Sequence, residues 1–549
     1  MRQSRYNIMV SGLDGEHLLF NSATGAFAVL DEQGLGALEH CQEALCPELA
    51  RAGFLTALES SDELALQQQD FTAASKRHDT LGLCLAPTYA CNFRCAYCYE
   101  HELTSRGGRM PFEVTESIRR LTAELHRRWG FGALFVEWYG GDPSLALDTV
   151  DDLSGFFQDF CSARGIAYNA LMITNGNLID GAAADLLGRC GIREVLITID
   201  GPQELHDRRR VPADGSGSYQ RIMHAIELLQ EHGITVNANM NADKVNWKTY
   251  PGLRDELMSR YGVALSTSQL NDYGGTFGQK PFAAPDYDLF SHEEYAIARH
   301  ERFAADGFTA QSLRDLLRPT PAFCRGQEES YLVIDYAGDI YGCDGWMGDG
   351  SHRLGNIVQE IDALEAGGDP SWLHSITFDA TADATCSACR LLPICQGSCI
   401  WERRLTGMPC HPLKVALADY LRDYRSCFGP ATGPVTVLAE PLTAAEVASR
   451  QWAPAPEAMG SASVPPLLAR WPSAAMRTLP LPARRRSWVA PPRRPAPAAP
   501  AGRPSLPAPP SRERRLTRSG SPPAEARLGW QGRSARRARI RAPPRLHLP

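Results

Sequence analysis

The chain has 549 residues, 44% of them hydrophobic, and a formal net charge of −7. That length predicts roughly two to four domains, and the absence of any apolar run of about eighteen residues excludes a membrane-spanning helix from the expectation. The charge is unevenly placed: from Arg470 onward stand nineteen Arg, no Lys and two Glu, a balance of +17 that leaves −24 on residues 1–469, so the two parts obey different physics.

The first residues, Met1-Arg-Gln-Ser-Arg-Tyr6, lack the apolar centre of a secretion signal. The expected location is therefore the cytoplasm, with no membrane partner. In a reducing compartment sixteen cysteines bind metal more readily than they build a disulfide framework. Residues 1–80 begin with strand patterns at 6–10, 17–20 and 26–30, separated by turn signals at 12–15 and 21–25. Helical patterns follow near 32–46 and 47–66. This small α+β unit resembles the winged-helix peptide-recognition element that precedes many peptide-modifying enzymes, whose sheet takes an extended leader peptide as an added strand. The competing expectation is a cap that packs on the next domain and binds nothing.

Residues 81–290 alternate strands with helices. Apolar strands are expected at 81–85, 134–139, 170–174, 194–200, 235–239 and 263–269, with amphipathic helices at 116–129, 148–164, 182–190 and 219–232. Such alternation predicts a parallel sheet wrapped by helices, with ligands at the carboxyl ends of the strands. Directly after the first strand comes Cys91-Asn-Phe-Arg-Cys95-Ala-Tyr97-Cys98. A structural zinc site closes with four ligands, and none completes this set; His101 lies just outside it. Three thiolates suit a [4Fe–4S] cluster with one iron left free. The alternatives are a structural metal knuckle or three unrelated thiols.

At these residues the chain resembles the radical S-adenosylmethionine (SAM) superfamily, whose pattern is C-x3-C-x2-C with an aromatic before the third cysteine. The resemblance implies that Cys91, Cys95 and Cys98 ligate the cluster and that SAM chelates the free iron. It also implies an α/β fold, a partial (β/α)6 TIM-like barrel. Gly140-Gly141-Asp142-Pro143 resembles the family's Gly-Gly-Glu-Pro, with Asp142 where Glu is usual. Paired glycines let backbone approach a ligand closely. Thr174-Asn175-Gly176 resembles the strand-end Thr-Asn-Gly. Thr198-Ile-Asp200-Gly-Pro202, followed by His206-Asp207 and Arg209, resembles the Ser-x-Asp-Gly-Pro…His-Asp…Arg signature of peptide-modifying members. These imply SAM contacts at Gly140, Gly141, Asp142, Pro143, Thr174, Asn175, Thr198, Asp200 and Arg209. Each motif alone reads as a turn; three in order at strand ends are harder to assign to chance.

Residues 291–322 read as a helical bridge. Then Cys324-x13-Gly338-x4-Cys343 is followed by Cys386-x2-Cys389-x5-Cys395-x3-Cys399 and Cys410. Residues 323–428 thereby resemble the SPASM extension of radical SAM maturases, which implies two auxiliary [4Fe–4S] clusters. The first takes Cys324, Cys343 and Cys399; the second takes Cys386, Cys389, Cys395 and a last residue, Cys410 in preference to Cys427. A zinc ribbon on Cys386, Cys389, Cys395 and Cys399 is the competing reading, but it leaves Cys324, Cys343 and Gly338 unexplained. Cys41, Cys46, Cys84, Cys161 and Cys190 read as small buried apolar residues. Asp344 stands where the resembling sulfatase-maturing enzymes place a substrate-deprotonating base; it equally suits a turn.

Residues 429–549, rich in Pro, Ala and Arg, lack periodicity and predict a disordered tail, with no nucleic-acid partner expected. The resemblance implies an oxidoreductase that reduces SAM to a 5′-deoxyadenosyl radical, with a flavodoxin- or ferredoxin-type electron donor. The expected partner is a ribosomally made precursor peptide, cross-linked or oxidised by the enzyme. The alternatives are an anaerobic sulfatase maturase making formylglycine from Cys or Ser, and a zinc-binding scaffold or regulator.

Overall fold

The computed structural model describes residues 1–12, 15–42, 44, 47–271, 287–406, 410–443 and 446–447. Cys46 and the expected tail from 448 onward lie outside the described residues. All the described residues belong to one compact unit, Met1–Thr478.

Fifteen strands occur among the described residues. In chain order they are β1 Arg2–Gln3, β2 Asn7–Ser11, β3 His17–Asn21, β4 Phe27–Leu30, β5 Leu55–Thr56, β6 Thr80–Leu85, β7 Ala133–Trp138, β8 Ala167–Thr174, β9 Ile192–Thr198 and β10 Thr235–Ala242. The rest are β11 Ala264–Gln269, β12 Tyr331–Ile334, β13 Asp339–Tyr341, β14 Gly355–Asn356 and β15 Val435–Ala439. The strands β6 to β11 pair in sequence, every pair parallel. These are the six β/α units expected of the partial barrel. A strand such as β6, with five consecutive buried residues, is what a parallel sheet covered on both faces requires.

The helices between strands follow from their patterning. Helix Phe112–Trp129 buries Val114, Ile118, Leu121 and Leu125, which fall on one face at helical spacing. It ends at Gly130, whose left-handed backbone lets its N–H reach the His126 carbonyl. Helix Gly181–Arg189 starts where the Asp180 carboxylate accepts the Ala183 N–H. The bridge comprises helices His292–Asp306 and Ala310–Leu316. Among the described residues, no helix is long and apolar enough to cross a membrane.

Three expectations need correction. First, the boundary at 323 is not a boundary of the sheet: β12 pairs in parallel with β6, and β13 and β14 extend the same nine-stranded sheet. Second, the helix expected over 47–66 is two helices, Pro47–Arg51 and Ser60–Ser75. Gly53, with φ +79°, turns the chain out between them, and β5 then pairs with β1. Third, the order expected to end at Gly429 continues. The segment β15 pairs antiparallel with β4, completing a four-stranded sheet β15-β4-β3-β2.

That sheet has two covered faces. On one side Leu19, Ala28 and Leu30 pack against Ala37, Leu38 and Leu49 of the following helices. On the other, Leu18, Phe20 and Phe27 pack against Tyr420, Leu421 and Tyr424 of helix Leu413–Ser426. The Phe27 and Tyr424 rings stack at 4.9 Å. The N-terminal element is thus fastened to the end of the cysteine-rich region. Leu421→Ala, at a fully buried position, is expected to cost about 2–5 kcal/mol. Hydrogen exchange should show the loss concentrated in β2–β4, with β6–β11 still protected; uniform loss would mean the sheet is not held there.

Candidate active site

The cysteine loop leaves β6 and is pinned at its middle to a distant segment. The Arg94 N–H donates to the Val211 carbonyl and the Ala213 N–H to the Asn92 carbonyl, both at 2.7 Å, with a β-bridge between Phe93 and Pro212. Within the loop Cys95 is buried and Cys91 and Cys98 are half-buried. Burial raises all three thiols, Cys91 to about 12, with further contributions from Asp142 and Cys95. Cys98 is raised again by the charges of Cys95 and Cys91, so the three thiols are electrostatic neighbours. Among the described residues no three His, Cys, Asp or Glu side chains stand in ready metal-holding geometry. The chemistry of the donor set nonetheless fits a cluster: adjacent buried thiolates need a cationic centre among them, and iron supplies it.

The next two motifs close over this loop. A Cβ on Gly140, whose φ is +102°, would stand 2.6 Å from the Thr88 carbonyl oxygen, and one on Gly141 would stand 2.2 Å from that of Tyr89. The clearance expected to admit a ligand is used by the chain's own 86–90 segment. Asp142 is 1% exposed. Its carboxylate accepts from Ser144 N–H at 2.9 Å, Thr174 Oγ1 at 2.8 Å and Asn175 N–H at 2.8 Å. It therefore ties the end of β7 to the end of β8. Pro143 starts the short 3-10 turn that Asp142 caps. Asn175 Nδ2 donates to Asn92 Oδ1 at 2.7 Å and lies 3.9 Å from Cys91 Sγ, which brings β8 to the cysteine loop.

The third motif forms a buried network. The Tyr97 hydroxyl donates to the Asp200 carboxylate and accepts from Arg210 Nη1 at 2.7 Å and Asn241 Nδ2 at 3.3 Å. Asp200 and Arg209 are fully buried. Arg209 donates to Asp243 at 2.9 Å and lies 3.8 Å from Asp200. Their charges face each other and, for Arg209, Asp243 as well. Thr198, half-buried, lies beside Asn239 in the sheet register. His206 is fully buried, and burial with Arg210 and Arg209 holds its pKa well below the usual histidine range. Its Nδ1 accepts the Asp200 N–H. Its Nε2–H accordingly donates to Ser218 Oγ at 3.1 Å, since that hydroxyl already donates to the Arg210 carbonyl. Asp207 accepts from Ser218 and Tyr219 N–H. This motif is architecture that positions Tyr97.

The later cysteines have different electrostatic neighbours. Cys343 is raised by Cys399 and Cys324, whereas Cys395 is raised by Cys386 and Cys389. Lys414, which donates to Cys410 Sγ at 3.5 Å, feels Cys389, Cys410 and Cys395 together. Cys427 lies elsewhere, against the Asp423 and Phe308 carbonyls. Arg403 donates to Cys386 Sγ at 3.0 Å. Cys399 stands apart from the ribbon of four that zinc would use.

Between the first loop and Cys343 lies a group of acids. Glu100 is 6% exposed, and its Oε1 is buried without a hydrogen-bond partner. Burial, then Asp344 and Asp142, push its carboxyl up to about 8. Burial, then Asp344, push Glu137 up to about 8 as well, against the opposing charge of Arg325. Asp344 is raised by burial, and Cys343 donates weakly to it at 3.6 Å. Cys84, expected only as buried apolar filling, is fully buried and feels Glu137 and Asp344. Tyr99 and Tyr139 share a hydrogen bond, and Tyr99 meets Trp401 edge-on at 5.0 Å. Sequence reading missed Glu100, Glu137, Tyr139, Arg210 and Trp401. The signal for three of them was adjacency: Glu100 is two residues after Cys98, Tyr139 precedes Gly140, and Arg210 follows Arg209.

Two predictions follow from these charges. Arg209→Leu leaves Asp200 and Asp243 buried without their shared cation and should cost about 3–5 kcal/mol, read from chemical denaturation; an unchanged midpoint would refute the pairing. For Glu137, folding raises proton affinity, so the folded chain keeps a proton that the unfolded chain releases between pH 4.5 and about 8. Stability is therefore lost as pH rises through that window. The thermal midpoint of Glu137→Gln should gain on the parent from pH 5 to 8, a difference on the order of a few kcal/mol; a constant offset would count against it.

The Radical SAM superfamily matches residues 85–256. A cysteine-type anaerobic sulfatase-maturating enzyme from Clostridium novyi is 24% identical over 371 residues, 64% of this chain and 95% of that protein. A serine-type anaerobic sulfatase-maturating enzyme from Klebsiella aerogenes is 23% identical over 320 residues, 56% of this chain and 77% of that protein. Among solved structures, native anSMEcpe with bound AdoMet matches with a TM-score of 0.49 at 20% identity, covering 63% of this chain and 99% of that one. Streptococcus suis SuiB bound to S-adenosylmethionine matches with a TM-score of 0.44 at 16% identity, covering 73% and 96%. With its cysteine loop and three strand-end motifs in place, the chain matches the Radical SAM superfamily over residues 85–256 and is similar over most of their length to the anaerobic sulfatase-maturating enzymes.

Proposed function

We propose that this chain is a radical SAM maturase that modifies a ribosomally made precursor peptide, cross-linking or oxidising a side chain. One observation carries the reading: the N-terminal strands β2–β4 of the four-stranded sheet, with their helices, are built directly onto the region of the later cysteines. Cys389 and Cys395 pack against the same apolar cluster as Phe20 and Phe27. A sheet in that place suits the capture of an extended segment.

In this reading Cys91, Cys95 and Cys98 hold the SAM-binding cluster. Cys324, Cys343 and Cys399 hold one auxiliary cluster, and Cys386, Cys389, Cys395 and Cys410 hold another. When bound, cluster and SAM together supply the one-electron chemistry that removes hydrogen from a substrate carbon. The chain's own residues fix the geometry. Tyr97, Asp200 and Arg210 hold the cysteine loop, and Asp142 holds the strand ends beside it. Tyr99, Tyr139 and Trp401 wall the interior against water. Asp344, raised by burial, takes a proton from the substrate as a bond forms or an electron leaves. The site lies in the cytoplasm and draws electrons from a flavodoxin- or ferredoxin-type donor.

A second reading, formylglycine formation from Cys or Ser of a sulfatase, is favoured by the curated relatives and by the position of Asp344. Mass spectrometry separates the two. A short peptide encoded beside this gene should lose two hydrogens per modified site with no loss of sulfur. Conversion of a sulfatase-derived peptide with loss of sulfur, or of two hydrogens at Ser, would favour the second. Cys95→Ala should abolish SAM cleavage while auxiliary iron stays bound; retained cleavage would sink both. Anaerobic protein carrying about two iron or fewer, without SAM cleavage, would support the zinc scaffold.

A further inference from the structure

The four-stranded sheet is finished by a segment that arrives from more than four hundred residues away. Its last strand, β15, lies antiparallel on β4, with Val435 opposite Leu30, Thr436 opposite Val29 and Val437 opposite Ala28. Both ends are fastened by backbone hydrogen bonds. The Asp31 N–H donates to the Pro434 carbonyl at 3.1 Å, and the Leu442 N–H donates to the Thr24 carbonyl at 2.8 Å. Two glycines make room for the segment. A Cβ on Gly34 would stand 1.9 Å from the Pro434 carbonyl oxygen. A Cβ on Gly25 would stand 2.9 Å from Leu442 Cδ1. The edge of β4 is therefore a groove shaped for an extended backbone, with apolar floor on both faces: Val435 and Val437 against one cluster, Leu438 and Ala439 against the other.

The opposite edge of the sheet is less open. On β2 the Asn7 carbonyl accepts from Arg390 at 3.2 Å and the Ser11 carbonyl from Arg422 at 3.3 Å, while the Asn7 N–H donates to Ser4. Side chains thus cap both ends of β2, leaving about one residue of backbone at Met9. An added strand needs a run of unpaired backbone groups, and β4 has that run only when β15 is elsewhere. The segment β15 is itself lightly held: four of its five residues keep partial exposure.

We propose that the β4 edge is the docking groove for an extended recognition segment of the substrate peptide, and that residues 434–442 are its resident occupant, exchanging with that segment. The proposal rests on the peptide-modifying reading above. The resident strand holds the recognition edge closed until a peptide of matching pattern replaces it: a β-branched or small residue at alternate positions, lying antiparallel to β4. Exchange conserves the backbone ladder, since each hydrogen bond lost from β15 is remade to the incoming strand. The net preference is accordingly set by side-chain fit and by local concentration.

The probe is a fluorescein-labelled synthetic peptide of residues 431–443, added to the full chain and to a chain ending at Pro430. Fluorescence anisotropy should show at least tenfold tighter binding to the shortened chain, and Gly34→Leu in that chain should abolish it. A shortened chain that still cleaves SAM but does not bind the peptide would overturn the groove, as would equal binding by both chains. If the shortened chain fails to fold, Val437→Pro in the full chain serves instead, since proline breaks strand pairing; it should bind the peptide, and failure to do so would overturn the groove. Hydrogen exchange in the full chain gives a second reading. The amides of Val435–Ala439 should exchange at least tenfold faster than those of β3; equal protection would mean a permanent strand. Binding of the probe is independent of the chemistry. Its loss leaves the peptide-modifying reading standing, and a failure of peptide modification with binding intact leaves the groove standing.

Discussion

The hydroxyl of Tyr97 is the point at which the cysteine loop is fixed to the sheet. It donates to Asp200 at the end of β9 and accepts from Arg210 at the end of the following helix and from Asn241 in β10. The residue sits between Cys95 and Cys98, so its ring cannot move without moving two thiols. A loop of this kind has no internal ladder to hold it, and its backbone must find partners in its surroundings. It finds them at Val211 and Asn92–Ala213. The buried charges beneath it balance, with Asp200 and Asp243 against Arg209 and Arg210. Two acids and two guanidinium groups thus compensate one another in a site with little access to water. The histidine and aspartate that follow Gly201-Pro202 serve this purpose at one remove, by fixing the segment that carries both arginines.

The acids on the other side of the loop follow a different rule. Asp344 raises the proton affinity of both Glu100 and Glu137 beyond what burial does, and Arg325 opposes it at Glu137. A folded chain does not keep such an arrangement for stability, because separated or neutral groups would cost less. Strain of this kind gathers where chemistry needs a proton acceptor or an oriented partner. The closed network under Tyr97 and the open acids beyond Cys98 therefore divide the interior. One half positions the cysteine loop, and the other gathers carboxyls whose proton affinity burial raises.

Much of this was legible in the chain. The six parallel strands announced themselves as apolar runs such as Leu81–Leu85, and the helices between them by apolar residues at helical spacing. The spacing of Cys386, Cys389, Cys395 and Cys399 carried the division of the later cysteines only through a family resemblance. Nothing in the spacing itself says that Cys399 turns toward Cys324 and Cys343. The neighbours of Asp142, Asp200 and Arg209 were not legible, because sequence gives identity at a strand end but not which neighbours a side chain reaches. Three hydrogen bonds to Asp142 come from residues two, thirty-two and thirty-three positions away. The joining of β12 to β6 and of β15 to β4 was illegible for a related reason. Pairing of distant strands is decided by packing, and a five-residue apolar run such as Val435–Ala439, set among prolines and glycines, carries no mark of its partner.

Segments from both ends of the described residues meet in the N-terminal sheet, and this has a mechanical consequence. Helix Leu413–Ser426 packs on one face of the sheet through Tyr420, Leu421 and Tyr424. The same helix leads, within nine residues, into β15 on the edge. The sheet therefore cannot shift without pulling on a helix whose first turn adjoins Cys410 through Lys414. Through that helix, a strand seated on β4 and the second group of cysteines share one rigid connection. The Gly34 and Gly25 clearances belong to the same connection, since they set how closely any strand can approach β4. Occupancy of that edge is thus coupled by covalent continuity, over one helix, to the region that holds Cys386, Cys389, Cys395 and Cys410.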